Sequence, residues 1–113
     1  MISGYNTVEE RPMIAMNVDP RKKLFARFFR QFPNCRLQIA ADRILRQLVA
    51  LNVPMGGKPG GWAGGIVYAI SSIGVGVPGV LNSQLEKVFD VSMGTIHKRA
   101  AQIRMLTGRL CYS

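Results

Sequence analysis

The stretch from Trp62 to about Ile73 constrains the fold more than any other, because it is apolar on nearly every face of a helix. A helix with no polar side must be enclosed by other elements, so a chain of 113 residues that carries one is built around it. Gly64 and Gly65 lie inside this stretch, and each costs about 1 kcal/mol relative to Ala in a helix interior. A second helix packing directly against the glycines would account for that cost. The longest apolar run, Ile66 to Ile73, falls far short of the roughly 20 residues that cross a bilayer, so a core helix is expected and not a membrane span.

The flanking sequence supplies the enclosing helices. Asp19-Pro20 is a helix start, with Asp as N-cap and Pro at the first helical position. Phe25, Phe28, Phe29 and Phe32 then fall on one stripe, with Lys22, Lys23, Arg27 and Arg30 on the remainder, and Pro33 ends the helix. Asn34 caps a second helix, in which Leu37, Ala41, Ile44, Leu48 and Leu51 recur at helical spacing and Arg36, Arg43 and Arg46 take the wetter side. The run Pro54 to Gly61 is a loop by composition, and Gly74 to Gly79 breaks the chain again. Residues 1–18 are polar and aperiodic, as expected of a flexible arm. Residues 19–113 then form one domain of five helices, with no strand and no internal repeat.

The last two of these helices, over about residues 82–107, have the pattern of a helix-turn-helix. The first buries Leu85, Val88 and Phe89, and Asp90 sits at the position that needs left-handed backbone, which Asp tolerates. Ser92 caps the second helix, whose buried side is Ile96, Ala100 and Ile103, with Leu106 as a further candidate. Its other side presents Met93, Gly94, His97, Lys98, Ala101 and Arg104. Residues near the start of such a helix meet base edges, while Ser92, Thr95, Lys98 and Arg99 reach phosphates. The competing reading of the same pattern is two amphipathic helices with solvated charges.

Charge favours a polyanionic partner. Fifteen Lys and Arg stand against six Asp and Glu, a net charge of +9. Eight of the cations, Arg21, Lys22, Lys23, Arg27, Arg30, Arg36, Arg43 and Arg46, belong to the first two helices and are opposed there only by Asp42. So one-sided a cluster suits phosphate, and Lys22, Lys23 and Arg27 are the candidate backbone contacts. Other chemistry finds no footing. In GGKPGG, Lys58 is followed by Pro59, which has no N–H to donate, and the loop lacks the Lys-Ser/Thr step of a phosphate cradle. His97 is the only histidine and has no nucleophile or carboxylate partner in view, so no enzyme is expected. Trp62 reads as a core anchor. Cys35 and Cys111 have no partner at metal-ligand spacing, so reduced thiols and no cofactor are expected. The start of the chain shows no secretory signal, and a cytoplasmic protein is expected.

The segment Pro59-Gly60-Gly61-Trp62-Ala63-Gly64-Gly65-Ile66-Val67-Tyr68-Ala69-Ile70, followed by Leu81 to Arg99 with VSMGTIHKRA, resembles the cyclin-box repeat of transcription factor IIB and its relatives. The likeness extends over residues 20–107 in helix count and order, and over about 59–106 in motif. It implies a five-helix bundle around a central hydrophobic helix, ending in a helix-turn-helix. It further implies a DNA-binding or transcription-associated role, with Ser92, Met93, Gly94, Thr95, His97, Lys98 and Arg99 as the recognition-helix surface. Glu86 departs from the family, replacing a small residue where the second helix packs closely, so that either the crossing widens or Glu86 points outward. Only one repeat is present, and no zinc ribbon.

The expected protein is therefore all-α and cyclin-box-like, and it binds double-stranded DNA in transcriptional regulation. Its site comprises Ser92, Met93, Gly94, Thr95, His97, Lys98, Arg99 and Arg104, with Lys22, Lys23 and Arg27. The alternative is a protein-interaction module that makes no DNA contact. A homodimer, supported by the apolar loop Val75 to Leu81, stays open at this level.

Overall fold

The computed structural model describes residues 19–71 and 77–107. The N-terminal arm, Ile73, Cys111 and the start of the Val75 to Leu81 loop lie outside them. The described residues form five α-helices and no strand: α1 (Pro20–Gln31), α2 (Cys35–Ala50), α3 (Pro59–Ser71), α4 (Asn82–Phe89) and α5 (Met93–Thr107). Helix α3 is the axis. Every residue from Gly60 to Ile70 is buried, and α1, α2, α4 and α5 all pack on it. Around α3 the neighbours run α1, α4, α5, α2 and back to α1, so α1 stands across the axis from α5, and α2 across from α4.

Local chemistry explains each start and stop. The Asp19 carboxylate accepts from the Arg21 backbone N–H at 2.9 Å, and Pro20 opens α1. The Asn34 side chain accepts from Leu37 N–H at 3.1 Å and starts α2 immediately after Pro33. At α4 the cap works from inside the helix, where the Gln84 side chain accepts the Leu81 N–H at 2.8 Å. Asp90 ends α4 in the left-handed region, at φ 56° and ψ 44°.

The aromatic stripe of α1 forms one wall of the core. Phe28 sits edge-on to Phe29, with centroids 5.0 Å apart, and stacks on Phe89 of α4 at 5.3 Å, which joins the first helix to the fourth. Leu37, Ala41, Ile44, Leu45 and Leu48 form the α2 wall, and Ile96, Ala100 and Ile103 that of α5. Two expected core residues are not core. Leu51 is 56% exposed because it is the C-cap of α2, beyond the last full turn, and Leu106 is 45% exposed because the periodic stripe of α5 has rotated outward by its last turn. Phe32, at the C-cap of α1, is only partly buried.

A further correction concerns Pro59, Gly60 and Gly61, which are helical and not loop. Pro59 opens α3, and the two glycines bring its first turn against neighbouring backbone. A Cβ at Gly60 would overlap the Phe89 carbonyl oxygen, and one at Gly61 would lie 2.9 Å from the Thr95 methyl. Composition alone counted these residues as chain breakers, whereas their lack of a side chain serves close packing. Gly64 and Gly65 serve the same end against α5. A Cβ at Gly64 would come within 3.1 Å of Ile96, and one at Gly65 within 2.7 Å of the Arg99 Cβ and 3.1 Å of the Ala100 backbone nitrogen.

Two measurements check this account. Gly65→Ala should destabilise the fold by about 1–3 kcal/mol in denaturant titration, because backbone and not a flexible side-chain end stands in the way. Gly56→Ala, with nothing within 4 Å of the new methyl, should stay within about 0.5 kcal/mol of the parent. A pH dependence follows from Asp19. Burial raises its pKa, but hydrogen bonds from the Arg21 side chain and backbone and the guanidinium charge outweigh burial and hold it below the usual carboxylate value of 3.8. Its stabilisation is complete above that value and lost as pH falls through the lowered one. The stability difference between the parent and Asp19→Asn should therefore narrow as pH falls below the usual carboxylate value of 3.8, as followed by thermal melts.

Candidate nucleic-acid interface

The interface is built on the joint between α4 and α5. With Asp90 in the left-handed region the chain reverses within two residues, and Ser92 then caps α5, its hydroxyl oxygen accepting the Thr95 N–H at 3.3 Å. The Ser92 carbonyl accepts the Ile96 N–H at 3.1 Å. Glu86 resolves the two options posed for it in a third way: its carboxylate accepts the Met93 N–H at 2.7 Å and closes the start of α5 from the preceding helix. An acidic residue near a helix N-terminus is a recognised signal, but here the seven-residue separation crosses a turn, so spacing within one helix does not reveal it. On the other side of the joint, Lys58 donates to the Asp90 carbonyl at 3.3 Å and its ammonium lies 3.8 Å from the Asp90 carboxylate, an exposed pair of small energetic weight.

The expected recognition residues divide into three groups. Gly94, His97 and Lys98 are exposed on the outer face of α5, with Ala101 and Met105 continuing the same face. Ser92, Met93 and Thr95 belong to the cap and the packing. The Ser92 hydroxyl is shared between the Thr95 N–H and the Thr95 hydroxyl, Met93 is half-buried, and the Thr95 methyl faces Gly61. Arg99 is turned away from the outer face, and Arg104 is partly withdrawn from solvent. The Arg99 guanidinium lies 4.6 Å from the centre of the Trp62 ring, donates to Gln102 at 2.8 Å and reaches the Gly56 carbonyl at 3.3 Å, while the Trp62 indole N–H donates to the same carbonyl at 2.9 Å. Arg99 thus clasps residues 54–58 onto α3 and α5. Arg104 is half-buried, and one of its guanidinium nitrogens is out of solvent with no hydrogen-bond partner among the described residues. Tyr68 supports His97 from below, with ring centroids 4.9 Å apart.

The cations of α1 are likewise divided. Lys23 and Arg27 join Lys58 around a cleft of about 420 Å³ floored by Leu24, Gly60 and Phe89, beside the α4–α5 turn. Lys22 instead faces α2, 3.8 Å from the Asp42 carboxylate. Sequence reading missed Lys58, Glu86 and the clasp formed by Arg99. Among the described residues, no cluster of His, Cys, Asp or Glu is arranged to hold a metal ion, and no helix is long and apolar enough to cross a membrane. Compared with known proteins, the chain matches no family model, no curated sequence and no solved structure.

Gly94 stands apart from the glycines of α3. A Cβ there would touch only the Ser92 hydroxyl, at 3.7 Å, so nothing in the packing requires glycine. Gly94→Ala should therefore raise stability, by up to about 1 kcal/mol in denaturant titration, the opposite sign to Gly65→Ala. A loss of stability would mean that the start of α5 has a neighbour unaccounted for.

Proposed function

We propose that this chain binds double-stranded DNA through α4 and α5 and acts in transcriptional regulation, as a single cyclin-box-like repeat. The observation that carries the reading is the joint at Asp90, which starts α5 in the open with Gly94, His97 and Lys98 side by side on its free face. Gly94 leaves room for a base edge or a sugar to approach the helix. The Lys98 ammonium reaches a phosphate or a guanine edge, and the His97 ring offers a donor or an acceptor. Lys23, Arg27 and Lys58 flank the joint and suit the phosphates next to the groove. Ser92, Thr95 and Arg99 hold α5 at its angle, and in this reading they position the contacts without making them.

One observation favours a second reading, a protein-docking module. The C-terminal half of the outer face of α5 is apolar, with Ala101 exposed, Met105 83% exposed and Leu106 beside it. Such a surface suits the groove of a partner protein.

Fluorescence anisotropy with duplex DNA separates the two. Affinity should fall with salt at a log–log slope of about 0.9 per phosphate neutralised. Lys98→Glu should weaken binding about tenfold or more with an unchanged melting temperature, since the side chain is exposed and unpaired. Arg99→Glu is a poor probe, because it would break the clasp on Trp62 and Gly56. No binding at about 50 mM salt, or a Lys98→Glu protein that binds like the parent, would refute the DNA reading.

A further inference from the structure

The cations are segregated across the molecule, and the denser group is not on the helix-turn-helix. On α1, Arg30 is exposed opposite the buried Phe25, Phe28 and Phe29 and does not line the cleft that Lys23 and Arg27 share with Lys58. On α2, Arg36, Arg43 and Arg46 are exposed at spacings of seven and three, opposite the buried Leu37, Ala41, Ile44 and Leu48. Arg30 and the α2 row therefore face solvent on adjacent helices. Asp42 is the only acid between them, and Lys22 already neutralises it. The outer face of α4 and α5 is less densely charged by contrast, with Lys87 and Lys98 exposed, Asp90 paired with Lys58 and Glu86 engaged in the cap.

We infer that the outward face of α1 and α2 is a second duplex-binding surface, so that one chain holds two segments of nucleic acid. This rests on the proposed reading of α4 and α5 as the first. At 1.5 Å per residue the α2 row extends about 15 Å, some four phosphates of a strand. All four cations of this face, Arg30, Arg36, Arg43 and Arg46, are arginines, whose planar guanidinium binds phosphate oxygens in pairs. The occupant is a sugar-phosphate backbone and not a lipid surface, because the apolar sides of both helices are committed to the core and only two large apolar residues of α2, Ile39 and Val49, are exposed, too few for an insertion face. It is not an acidic protein either, because the face offers no aromatic anchor: Phe25, Phe28 and Phe29 all point inward.

The order of helices around α3 places this face away from the first one. Helix α1 is across the axis from α5, and α2 across from α4. A straight duplex lying on α4 and α5 cannot also reach the arginines of α2, and duplexes of about 16 base pairs are far too stiff to wrap.

The experiment mixes the full chain with two such duplexes, one biotinylated and one fluorescent, captures the first on beads and measures retention of the second. The parent should retain fluorescence. The combined R36Q/R43Q/R46Q protein, in which Gln keeps the helix propensity of exposed sites and circular dichroism checks the fold, should lose at least about tenfold of that retention while still binding one duplex by anisotropy. The K98E protein should bind one duplex, at the affinity of the α1–α2 face alone, at least about tenfold weaker than the parent, and retain no second. A parent that saturates at one duplex with no retention, or an R36Q/R43Q/R46Q protein that retains the second duplex as well as the parent, would overturn the inference, the latter also if pairing of chains did the bridging. If the reading of α4 and α5 fails instead, the signature differs. R36Q/R43Q/R46Q would then abolish all binding and K98E would change none of it.

Discussion

The contact on which the rest of the structure depends is the seating of α5 against the glycine side of α3. Gly61, Gly64 and Gly65 expose helix backbone to Thr95, Ile96, Arg99 and Ala100, and an added Cβ at any of the three would come closer than ordinary van der Waals separation. So intimate an approach fixes the rotation of α5 about its own axis. If Ile96, Ala100 and the stem of Arg99 must face α3, then Gly94, His97, Lys98 and Ala101 must face away. The free face that any partner meets is thus determined from the opposite side, by three residues with no side chain. The glycines weaken α3 as an isolated helix by about 1 kcal/mol each, and burial on all sides compensates.

Arg99 shows how the same contact governs charge. Its stem packs on Gly65 and its guanidinium on Trp62, so an arginine in the middle of α5 is spent on holding residues 54–58 in place. Lys98, one residue earlier and about 100° around the helix, is free. Neighbouring cations in one sequence therefore do unlike work, and the difference lies in what stands across from each.

The fold was legible in the sequence wherever a residue's role depends on its own helix. The enclosure of α3, the Asp19, Asn34 and Ser92 caps, the left-handed Asp90 and the aromatic stripe of α1 all follow from spacing and from intrinsic backbone chemistry, and the structure has each of them. What was not legible depends on contacts between helices. Pro59-Gly60-Gly61 looked like loop because glycine signals a break when nothing shows what packs on it. Arg99 looked outward because the ideal helical stripe says nothing about a tryptophan waiting on another helix. Glu86 looked like a misfit because its partner, the Met93 N–H, lies across the turn. Leu51 and Leu106 continued an apolar period past the point where the neighbouring helices still cover it. In the candidate site, exposed residues such as Gly94, His97 and Lys98 were placed correctly by pattern, whereas the division of the cations between two faces required the order of helices around α3.

That division separates two tasks that DNA-binding proteins often combine. The backbone amides at the start of a helix form a natural phosphate site, yet at α5 Glu86 and the Ser92 hydroxyl already occupy the Met93 and Thr95 N–H groups. In the proposed reading a duplex on this face meets the Gly94 N–H and the side chains around it, so discrimination there rests on fit around Gly94 and on the groups offered by His97 and Lys98. Sequence-independent affinity scales with the number of phosphates neutralised, and the residues able to supply it stand mostly on α1 and α2. A reader with weak electrostatics gains selectivity, because little of its affinity is indifferent to base sequence. A holder with strong electrostatics gains residence on any duplex. In the proposed two-surface reading, the arginines of α2 and the free face of α5 are joined mainly through the apolar core around α3, so each can be tuned by substitution with little effect on the other.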